Sequence, residues 1–309
     1  MHITRRRGWE LPESLATPEH LLLNRRGALA GAAAVGTLAL TRQGWAENEA
    51  PPRDPRYTVQ RALTPEKDAT TYNNYYEFSE FKNLWQEAQK LHQRPWSIEI
   101  GGMVAKPRSI DIDDLFKQVQ LEERVYRHRC VEAWAMTVPW TGFPLSALVK
   151  LADPQGSAKY IQFQTIEDKA MPGLDTPFYP WPYIEGLTMA EAMNDLAFMV
   201  TGLYGKPVPP QNGGPIRLAV PWKYGFKSAK AIVKITFTDT RPKTFWEAIQ
   251  PSEYGFWANV NPQVPHPRWS QATERLLGSD ERVPTRLYNG YAEFVGGLYA
   301  GIKGEHLFM

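Results

Sequence analysis

The sequence contains one cysteine in 309 residues, Cys130, and its neighbours in the chain are charged or titratable. These neighbours are Arg127, His128, Arg129 and Glu132. Positive charge near a thiol favours the thiolate, which is the form that acts as a nucleophile or a metal ligand. A free cysteine is also among the residues most often buried as small hydrophobes. From these residues alone, Cys130 is either a reactive or metal-binding thiolate or an inert core residue.

A second group of candidate residues follows the turn signal Asn212-Gly213-Gly214. Arg217 lies in the apolar run 216–220, where a buried cation requires an acidic partner or an anionic ligand. Around Gly225 the chain places further cations and a hydroxyl: Lys223, Lys227, Ser228 and Lys230. Ammonium groups, a hydroxyl and backbone amides together are suited to binding phosphate. An exposed basic loop has the same composition, so both interpretations stand on these residues.

Conventional metal and catalytic motifs are missing from the sequence. The six histidines include no pair spaced four residues apart, and there is no Cys-x-x-Cys motif for zinc or haem. Neither Gly-x-Gly-x-x-Gly nor Gly-x-Ser-x-Gly occurs. The sequence therefore does not support a structural zinc site, a dinucleotide-binding fold or an α/β-hydrolase.

Residues 1–46 have the features of an export signal and are set aside before the fold is considered. The pair Arg25-Arg26 precedes an uncharged run, 28–41, which is too short and too weakly apolar to span a membrane. The small residues Gly44 and Ala46 stand at the positions that a signal peptidase reads, which predicts cleavage after Ala46. The arginine pair predicts a twin-arginine signal and export of the folded protein to the periplasm, although Asn24 and Ala28 depart from the usual pattern. A chance arginine pair before an alanine-rich helix is the alternative.

Export changes what the charge and the single cysteine imply. Residues 1–46 contain six Arg and three Glu, so the 35 basic and 33 acidic residues of the chain become 29 and 30. This balance does not predict nucleic-acid binding. In an oxidising compartment a lone cysteine cannot form an internal disulfide, whereas a bound metal would protect it from oxidation. Twin-arginine export carries folded proteins, often with a cofactor inserted, which favours the same interpretation.

Strands and short helices must position these residues. The run 124–130 predicts a strand, on which His128 and Cys130 share one face. Further strands are predicted at 96–100, 160–165, 196–201, 216–220 and 231–237, and short helices at 80–91, 109–117, 144–152 and 188–193. The long loop 168–186 predicts a cleft wall. We predict an α+β fold with mixed sheets, an extended exposed arm over 47–70, and a domain over 71–309 whose last seventy residues wrap the core.

Several runs of the sequence resemble one known family. In chain order these runs are 121–124, 129–134, 138–145, 210–213, 220–227, 253–256 and 266–275. They resemble the periplasmic protein-methionine-sulfoxide reductase catalytic subunits, molybdopterin enzymes with the sulfite-oxidase-like fold. The resemblance extends from about Thr71 to the C-terminus, in order and with similar spacing. It implies that 71–309 is a molybdopterin-binding catalytic domain.

The resemblance also implies which residues bind the cofactor. In the family, the cysteine of the Arg-Cys-Val-Glu-Ala-Trp motif ligates molybdenum, and that residue here is Cys130. A thiolate is the soft donor that such a metal site uses. The remaining cofactor contacts that the motifs imply are Asn73, Tyr76, Glu77, Thr165, Asn212, Arg217, Ser228, Ala229 and Lys230. The implied cofactor is molybdenum with molybdopterin that carries no nucleotide.

The function that the resemblance implies is reductive oxygen-atom transfer, which repairs oxidised periplasmic proteins by returning methionine sulfoxide to methionine. The sequence has no haem or flavin signature, so electrons must come from outside, and the resemblance implies a membrane-bound haem-containing partner. One alternative keeps the cofactor but acts on small S- or N-oxides or on sulfite. Another is an exported binding protein in which Cys130 is structural. The roles of His128, Arg129 and Glu132 stay open.

Overall fold

Two β-sheets with short helices make up residues 51–309, the part of the chain that the computed structural model describes. The strands are β1 (Ser97–Gly102), β2 (Arg108–Asp111), β3 (Glu122–Arg129), β4 (Trp134–Pro144), β5 (Tyr160–Thr165), β6 (Ile184–Thr188), β7 (Phe198–Leu203), β8 (Lys206–Pro207), β9 (Arg217–Ala219), β10 (Ile232–Thr238), β11 (Thr273–Leu276) and β12 (Arg282–Pro284). The α-helices are α1 (Glu66–Thr71), α2 (Trp85–Ala88), α3 (Ile112–Phe116), α4 (Leu145–Ala152), α5 (Met189–Ala192), α6 (Phe245–Ile249) and α7 (Ala292–Tyr299). The export signal predicted for 1–46 lies outside the described residues. Within 51–309, none of the helices has the length and apolar character needed to cross a membrane.

The smaller sheet has five strands in the order β2-β1-β10-β5-β6. β1 and β10 run parallel, and the other neighbours run antiparallel. Alternate residues of β5 are buried, namely Ile161, Phe163 and Thr165, as the period-two pattern of this strand predicts. Thr165 is therefore held at the end of a strand with its side chain on the buried face.

The larger sheet is organised around β4, in the order β12-β11-β4-β7-β8, with β3 paired to β4 and β9 paired to β7. β3 runs antiparallel to β4, from Glu122 opposite Gly142 to Arg129 opposite Ala135. The other edge of β4 pairs with β11 in parallel and with β7 antiparallel. Both edges of β4 are therefore occupied, and all but its last residue are buried. The short connection from β3 to β4 contains Cys130.

Parallel and antiparallel pairs occur in both sheets, so the predicted α+β fold with mixed sheets is confirmed. Helix α4 buries Leu145, Leu148, Val149 and Ala152, as their spacing predicts. Strand β4 was not among the predicted strands, because Pro139, Gly142 and Pro144 interrupt the local pattern. Its pairing with three other strands overrides that local signal.

Two predicted helices are shorter in the structure. The helix predicted at 80–91 is limited to α2, four residues long. The segment predicted as helix at 109–117 begins as β2, and α3 starts only after Asp111. The Asp111 carboxylate accepts a hydrogen bond from the Asp113 N–H at 2.8 Å, which caps α3 and sets its first residue.

The exposed arm predicted over 47–70 is described from residue 51 onward, where more than half of the residues up to 70 are exposed but the segment also makes specific contacts. Tyr57 is buried, with its ring edge-on to Tyr126 at 5.6 Å and the Arg124 guanidinium 4.2 Å over it. Residues 66–71 form α1. The proline-rich composition of this segment predicts exposure, but a few aromatic contacts pack it against β3. The chain then leaves α1 directly into the segment that contains Asn73.

The C-terminal region packs back onto the rest of the described chain. β11 and β12 extend the larger sheet, and α7 buries Val295 and Tyr299. Near the end of the chain, the Ala258 N–H donates to the Met309 carbonyl at 3.1 Å, and the Asn259 N–H donates to the Leu307 carbonyl at 3.1 Å. These hydrogen bonds attach the end of the chain to residues 258–259.

Candidate active site

A cleft of about 880 Å³, a volume that includes its open mouth, lies beside the β3–β4 connection. The residues predicted for it come from four separate parts of the chain: the segment after α1, the turn after β3, the end of β5, and residues 212–230. All ten residues predicted as metal or cofactor contacts line it: Asn73, Tyr76, Glu77, Cys130, Thr165, Asn212, Arg217, Ser228, Ala229 and Lys230. The fold therefore gathers residues that are up to about half the chain apart.

A tight turn presents the Cys130 thiol to this cleft. The Cys130 N–H donates to the Trp134 carbonyl at 2.9 Å, and the Ala133 N–H donates to the Cys130 carbonyl at 3.1 Å. Ala133 closes the turn with φ +62°, in the left-handed region that non-glycine residues rarely adopt. Inside the turn, the Glu132 N–H points at Cys130 Sγ from 3.4 Å. The backbone of the β3–β4 connection therefore fixes the position of Cys130, and the Glu132 N–H contacts its sulfur directly.

The environment of the thiol differs from the one that its neighbours in sequence predict. Burial raises the pKa of Cys130 to about 12, and the nearby Glu132 carboxylate acts in the same direction, against weaker effects of Lys82 and Arg129. The charge of Arg129 therefore acts in the expected direction, but in the protein alone it is too weak to make Cys130 a thiolate. Deprotonation of this thiol requires a stronger local charge, which a coordinated metal ion supplies.

Strand alternation places the charged neighbours of Cys130 on opposite sides of β3. His128 lines the cleft together with Cys130, as predicted. The Arg129 guanidinium lies on the other face, where its Nε is 3.1 Å from Glu274 Oε2 and its Nη1 donates to the Cys130 carbonyl at 2.7 Å. Arg127 also lies on that face, and its Nη1 donates to the Asn289 carbonyl at 3.3 Å. The two arginines are therefore structural, and they do not reach the cleft.

His128 places a neutral imidazole in the cleft. Burial lowers its pKa to about 3, and the cations Arg217 and Lys230 act in the same direction, so the imidazole is neutral at physiological pH. Gly225 packs against it so closely that a Cβ there would lie 2.5 Å from His128 Nε2. Glycine is therefore required at position 225 by the approach of the ring.

Glu132 is held beside the thiol by three donors. Its carboxylate lies 2.7 Å from Lys82 Nζ and accepts hydrogen bonds from Asn74 Nδ2 at 3.0 Å and Trp134 Nε1 at 3.2 Å. Burial alone raises the pKa of Glu132, but these bonds outweigh it and the net pKa is lowered, so the carboxylate is ionised. Asn74 Nδ2 also lies 3.3 Å from Cys130 Sγ. Asn74 and Lys82 were not predicted as site residues, although Asn74 stands inside the Tyr-Asn-Asn motif.

Two cations in the cleft, the buried Arg217 and the half-buried Lys230, have no salt bridge within the described part of the chain. Arg217 donates only to carbonyl groups, those of Asn212 at 2.7 Å, Leu218 at 3.2 Å and Ser228 at 3.3 Å. Burial lowers the pKa of Arg217 to about 10. Lys230 Nζ donates to the Asn74 carbonyl, and burial and the charge of Arg217 lower its pKa, against the effect of the Glu77 carboxylate. Cations without a salt bridge in such a cleft indicate an anionic ligand.

The predicted basic cluster around Gly225 is only partly correct. Ser228 and Lys230 line the cleft, but Lys223 and Lys227 are fully buried elsewhere. Lys223 Nζ lies 2.5 Å from Glu191 Oε1, and Lys227 pairs with Glu185. Both lysines therefore neutralise buried acids of the fold, which spacing in the sequence could not distinguish from a role in binding phosphate.

Neutral and acidic polar groups also line the cleft. Thr165 Oγ1 donates to Glu77 Oε1 at 3.2 Å, and burial raises the pKa of Glu77 to about 7. Four buried atoms of the lining residues have no hydrogen-bond partner among the described residues: Asn73 Oδ1, Asn74 Oδ1, Tyr75 Oη and Asn212 Oδ1. Unpaired buried polar atoms are rare in native proteins, so the cleft is shaped for a polar ligand.

Aromatic side chains that were not predicted complete the cleft. Trp246 packs edge-on to Tyr76 with ring centroids 4.9 Å apart, and Tyr183 and Tyr254 also line the space. These residues come from the loop before β6 and from the C-terminal region, where the sequence has weak periodicity. Tyr183 lies in the loop 168–186 that was predicted as a cleft wall, whereas Trp246 and Tyr254 had no individual signal in the sequence.

Comparison with known proteins defines the class of this protein. Residues 86–246, slightly more than half of the chain, match the family model described as the oxidoreductase molybdopterin binding domain. Among solved structures, the fold is similar to the sulfane dehydrogenase SoxCD from Paracoccus pantotrophus, with a TM-score of 0.47 and 16% identity. That similarity covers 66% of this chain and 51% of the other.

Similarity over nearly the full length narrows the class to one family. The chain is 47% identical to the protein-methionine-sulfoxide reductase catalytic subunit MsrP of Burkholderia mallei, over 97% of this chain and 96% of that protein. It is 48% identical to the protein of the same name in Pseudomonas syringae pv. tomato, over 94% and 95% respectively. The chain belongs to the family of protein-methionine-sulfoxide reductase catalytic subunits.

Proposed function

We propose that this chain reduces methionine sulfoxide in proteins, using molybdenum and a molybdopterin without a nucleotide. The observation that carries the proposal is the placement of the Cys130 thiol in one cleft with two cations, Arg217 and Lys230, that have no salt bridge within 51–309. The cleft thus offers both a soft metal ligand and a site for an anion. The names of the relatives support the choice of substrate.

The residues of the cleft fit such a cofactor. The described residues contain no group of three or more His, Cys, Asp and Glu side chains that could bind a metal. A metal at Cys130 must therefore take most of its ligands from a non-protein group, as the dithiolene of molybdopterin provides. The unpaired oxygens of Asn73 and Asn212 are acceptors suited to the N–H groups of a pterin, and the cations Arg217 and Lys230 are suited to its phosphate.

Each predicted residue then has a task that its contacts explain. Cys130 would hold the metal, and the turn that ends at Ala133 fixes the direction of its sulfur. Arg217, Ser228, Ala229 and Lys230 would hold the phosphate of the cofactor. Asn73, Tyr76, Glu77, Thr165 and Asn212 would hold its pterin. When bound, the cofactor supplies the two-electron transfer that removes the sulfoxide oxygen.

Residues near the thiol have supporting roles. Asn74 bridges Cys130 Sγ and Glu132 Oε2, so it orients the ligand and the carboxylate relative to each other. His128 is neutral and offers an acceptor nitrogen to the cleft. Arg129 acts through the backbone, because it binds the Cys130 carbonyl and not the sulfur. Reduction of a sulfoxide consumes two protons and releases one water molecule. The protons enter and the water leaves through the open mouth of the cleft.

The source of electrons and the cellular location belong to this proposal. Sulfoxide reduction needs two electrons, and the sequence has no haem or flavin signature. The relatives are named catalytic subunits, which supports a separate partner. We propose that this partner is a membrane-bound haem protein, and that the chain works in the periplasm after twin-arginine export. Oxidised periplasmic proteins are then the substrates.

The proposal is tested with purified mature protein. We expect about one molybdenum and one pterin per chain, and reduction of methionine sulfoxide in an oxidised protein when a reduced viologen dye supplies electrons. Dimethyl sulfoxide, trimethylamine N-oxide and sulfite are assayed alongside. Faster turnover of any of these than of the oxidised protein would favour the alternative substrates. A protein that folds and binds ligands without molybdenum would contradict the proposal.

A further inference from the structure

Two large apolar side chains are exposed on segments that border the cleft. Phe178 is 88% exposed and Phe81 is 75% exposed, and no other large hydrophobic residue of the described chain exceeds 43%. Neither residue lines the cleft itself. Aromatic residues bury a large area at little cost in conformational entropy, which is why they are enriched where proteins bind polypeptide. These two side chains are called the rim below.

The rim is continuous with the cleft wall. The Tyr179 hydroxyl donates to Glu80 Oε1 at 2.5 Å, which joins the two segments that carry the rim, since Phe81 follows Glu80 and Phe178 precedes Tyr179. The Tyr179 ring lies edge-on to Tyr76 at 6.0 Å, and Tyr76 lines the cleft. An aromatic surface therefore leads outward from the cofactor-binding residues to the rim.

The loop that carries Phe178 is anchored to the cleft wall. The Gly173 N–H donates to the Glu77 carbonyl at 2.8 Å, and a Cβ on Gly173 would lie 2.0 Å from the Tyr76 carbonyl oxygen. At the other end of the loop, Phe245 stacks on Tyr183 with centroids 4.6 Å apart. Contacts at both ends therefore fix this loop, while Phe178 itself points to solvent.

We propose that the rim binds apolar side chains of the polypeptide on either side of the oxidised methionine, so that it selects flexible protein segments over small sulfoxides. This inference rests on the proposed function. A small sulfoxide reaches only the cleft. A polypeptide whose sulfoxide enters the cleft continues beyond the cleft mouth on both sides, and because an extended chain advances about 3.3 Å per residue, a few neighbouring residues extend far enough to contact the rim. Unfolded chains expose apolar neighbours, whereas folded surfaces bury them.

The expected size of the effect follows from apolar burial. Complete burial of one phenylalanine is worth about tenfold to a hundredfold in affinity, and contact on one face of each ring is worth less. We therefore expect Phe81→Ala and Phe178→Ala together to lower kcat/KM for a peptide substrate about tenfold. The loss should fall on KM, because the rim touches neither the cofactor nor the reacting sulfur.

The experiment uses the mature holoenzyme with reduced viologen as electron donor. The probes are dimethyl sulfoxide and a 15-residue peptide that carries one methionine sulfoxide with leucines at the second and third positions on each side. A second peptide replaces the leucines by serines. Leu287→Ala, which removes another side chain that is 42% exposed but does not line the cleft, is the matched control. Molybdenum content and thermal unfolding are measured for every variant.

The double variant should lose about tenfold on the leucine peptide, and it should match the wild type on dimethyl sulfoxide and on the serine peptide. A double variant with Phe81→Ala and Phe178→Leu, which keeps apolar area at position 178, should lose less on the leucine peptide than the double alanine variant. Equal losses on all probes, no loss on the leucine peptide, or the same loss in Leu287→Ala would each overturn the inference. If the wild type reduces no sulfoxide at all, the proposed function fails, which is a different result.

Discussion

Arg217 offers the sharpest test of the cofactor site, because the same charge that binds the ligand is unfavourable without it. We predict that Arg217→Met leaves the stability of the cofactor-free protein nearly unchanged and strongly reduces cofactor retention. The guanidinium is buried, and no carboxylate of residues 51–309 forms a salt bridge with it. Methionine fills a similar elongated space without the charge.

The magnitude follows from two opposing effects in the cofactor-free protein. Burial lowers the pKa of Arg217 from 12.5 to about 10, which corresponds to about 3 kcal/mol of unfavourable charge burial that methionine removes. Methionine also leaves three carbonyl groups without their donor, those of Asn212, Leu218 and Ser228, at about 1 kcal/mol each. The two effects cancel to within about 1–2 kcal/mol.

The effect on the ligand has no such compensation. A charge-assisted hydrogen bond is worth about 1.5–3 kcal/mol, so loss of one guanidinium contact to a phosphate weakens binding by about tenfold to a hundredfold. The assay measures molybdenum and released pterin per chain after purification, together with the thermal unfolding of protein produced without molybdate. We expect the variant to unfold within a few degrees of the wild type and to contain little of either component.

Lys227→Met is the matched control, since it also removes a fully buried cation from the same stretch of chain. Lys227 pairs with Glu185 and does not line the cleft. Its loss should destabilise the fold by up to about 3–5 kcal/mol, partly relieved because burial already raises the pKa of Glu185 to about 7. Folded Lys227→Met should retain its cofactor. Full molybdenum loading of Arg217→Met, or equal loss of cofactor in both variants, would refute the assignment of Arg217 to the anion site.

Three further outcomes follow from the structure. Cys130→Ser should change the unfolding free energy of the cofactor-free protein by less than about 2 kcal/mol, because the volumes are similar, and it should abolish turnover in the viologen assay. Glu274→Gln should lower the unfolding free energy by about 3 kcal/mol in urea titration, since the buried Arg129 loses its charged partner. Glu191→Gln should also destabilise the protein at pH 7, where Lys223 and Tyr299 hold the carboxylate. Burial opposes ionisation of Glu191, but these partners lower its pKa in the folded state, so the stability that it provides is complete above the unfolded value of 4.5 and is lost as the pH falls below it. The difference between Glu191→Gln and the wild type should therefore narrow in acid, and a constant difference from pH 7 to pH 3 would contradict this.

The fold could be predicted from the sequence where one local pattern decides the outcome. The alternation of β5 and the apolar spacing of α4 are local, and both elements were predicted at their observed places. β4 could not be predicted, because its prolines and glycine hide a strand whose stability comes from pairing with β3, β7 and β11. The packed segment around Tyr57 was missed for the same reason, since its partners Arg124 and Tyr126 are distant in the chain.

For the site too, residues that belong to a recognisable motif could be predicted from the sequence, whereas contacts between distant residues could not. Motif resemblance named ten residues, and all ten line one cleft. Residues that join the site through their contacts were missed, namely Asn74 and Trp246, which line the cleft, and Lys82, which pairs with Glu132. Spacing also grouped Lys223 and Lys227 with Lys230, although their acids, Glu191 and Glu185, decide that they belong to the fold. The sequence neighbours of a cation do not reveal whether a carboxylate from a distant part of the chain lies within reach.

The charged neighbours of Cys130 illustrate why a site must be interpreted through its secondary structure. On a strand, residues at odd and even positions face opposite sides, so Arg129 is next to Cys130 in the chain but points away from the thiol. Its guanidinium binds the Cys130 carbonyl and Glu274, which makes it an anchor of the turn and not a source of thiolate. The groups near the sulfur are instead Asn74 and Glu132, one neutral and one anionic. A thiol so placed stays protonated until a metal binds, and this order of events suits a ligand that must remain unreactive before its cofactor is inserted.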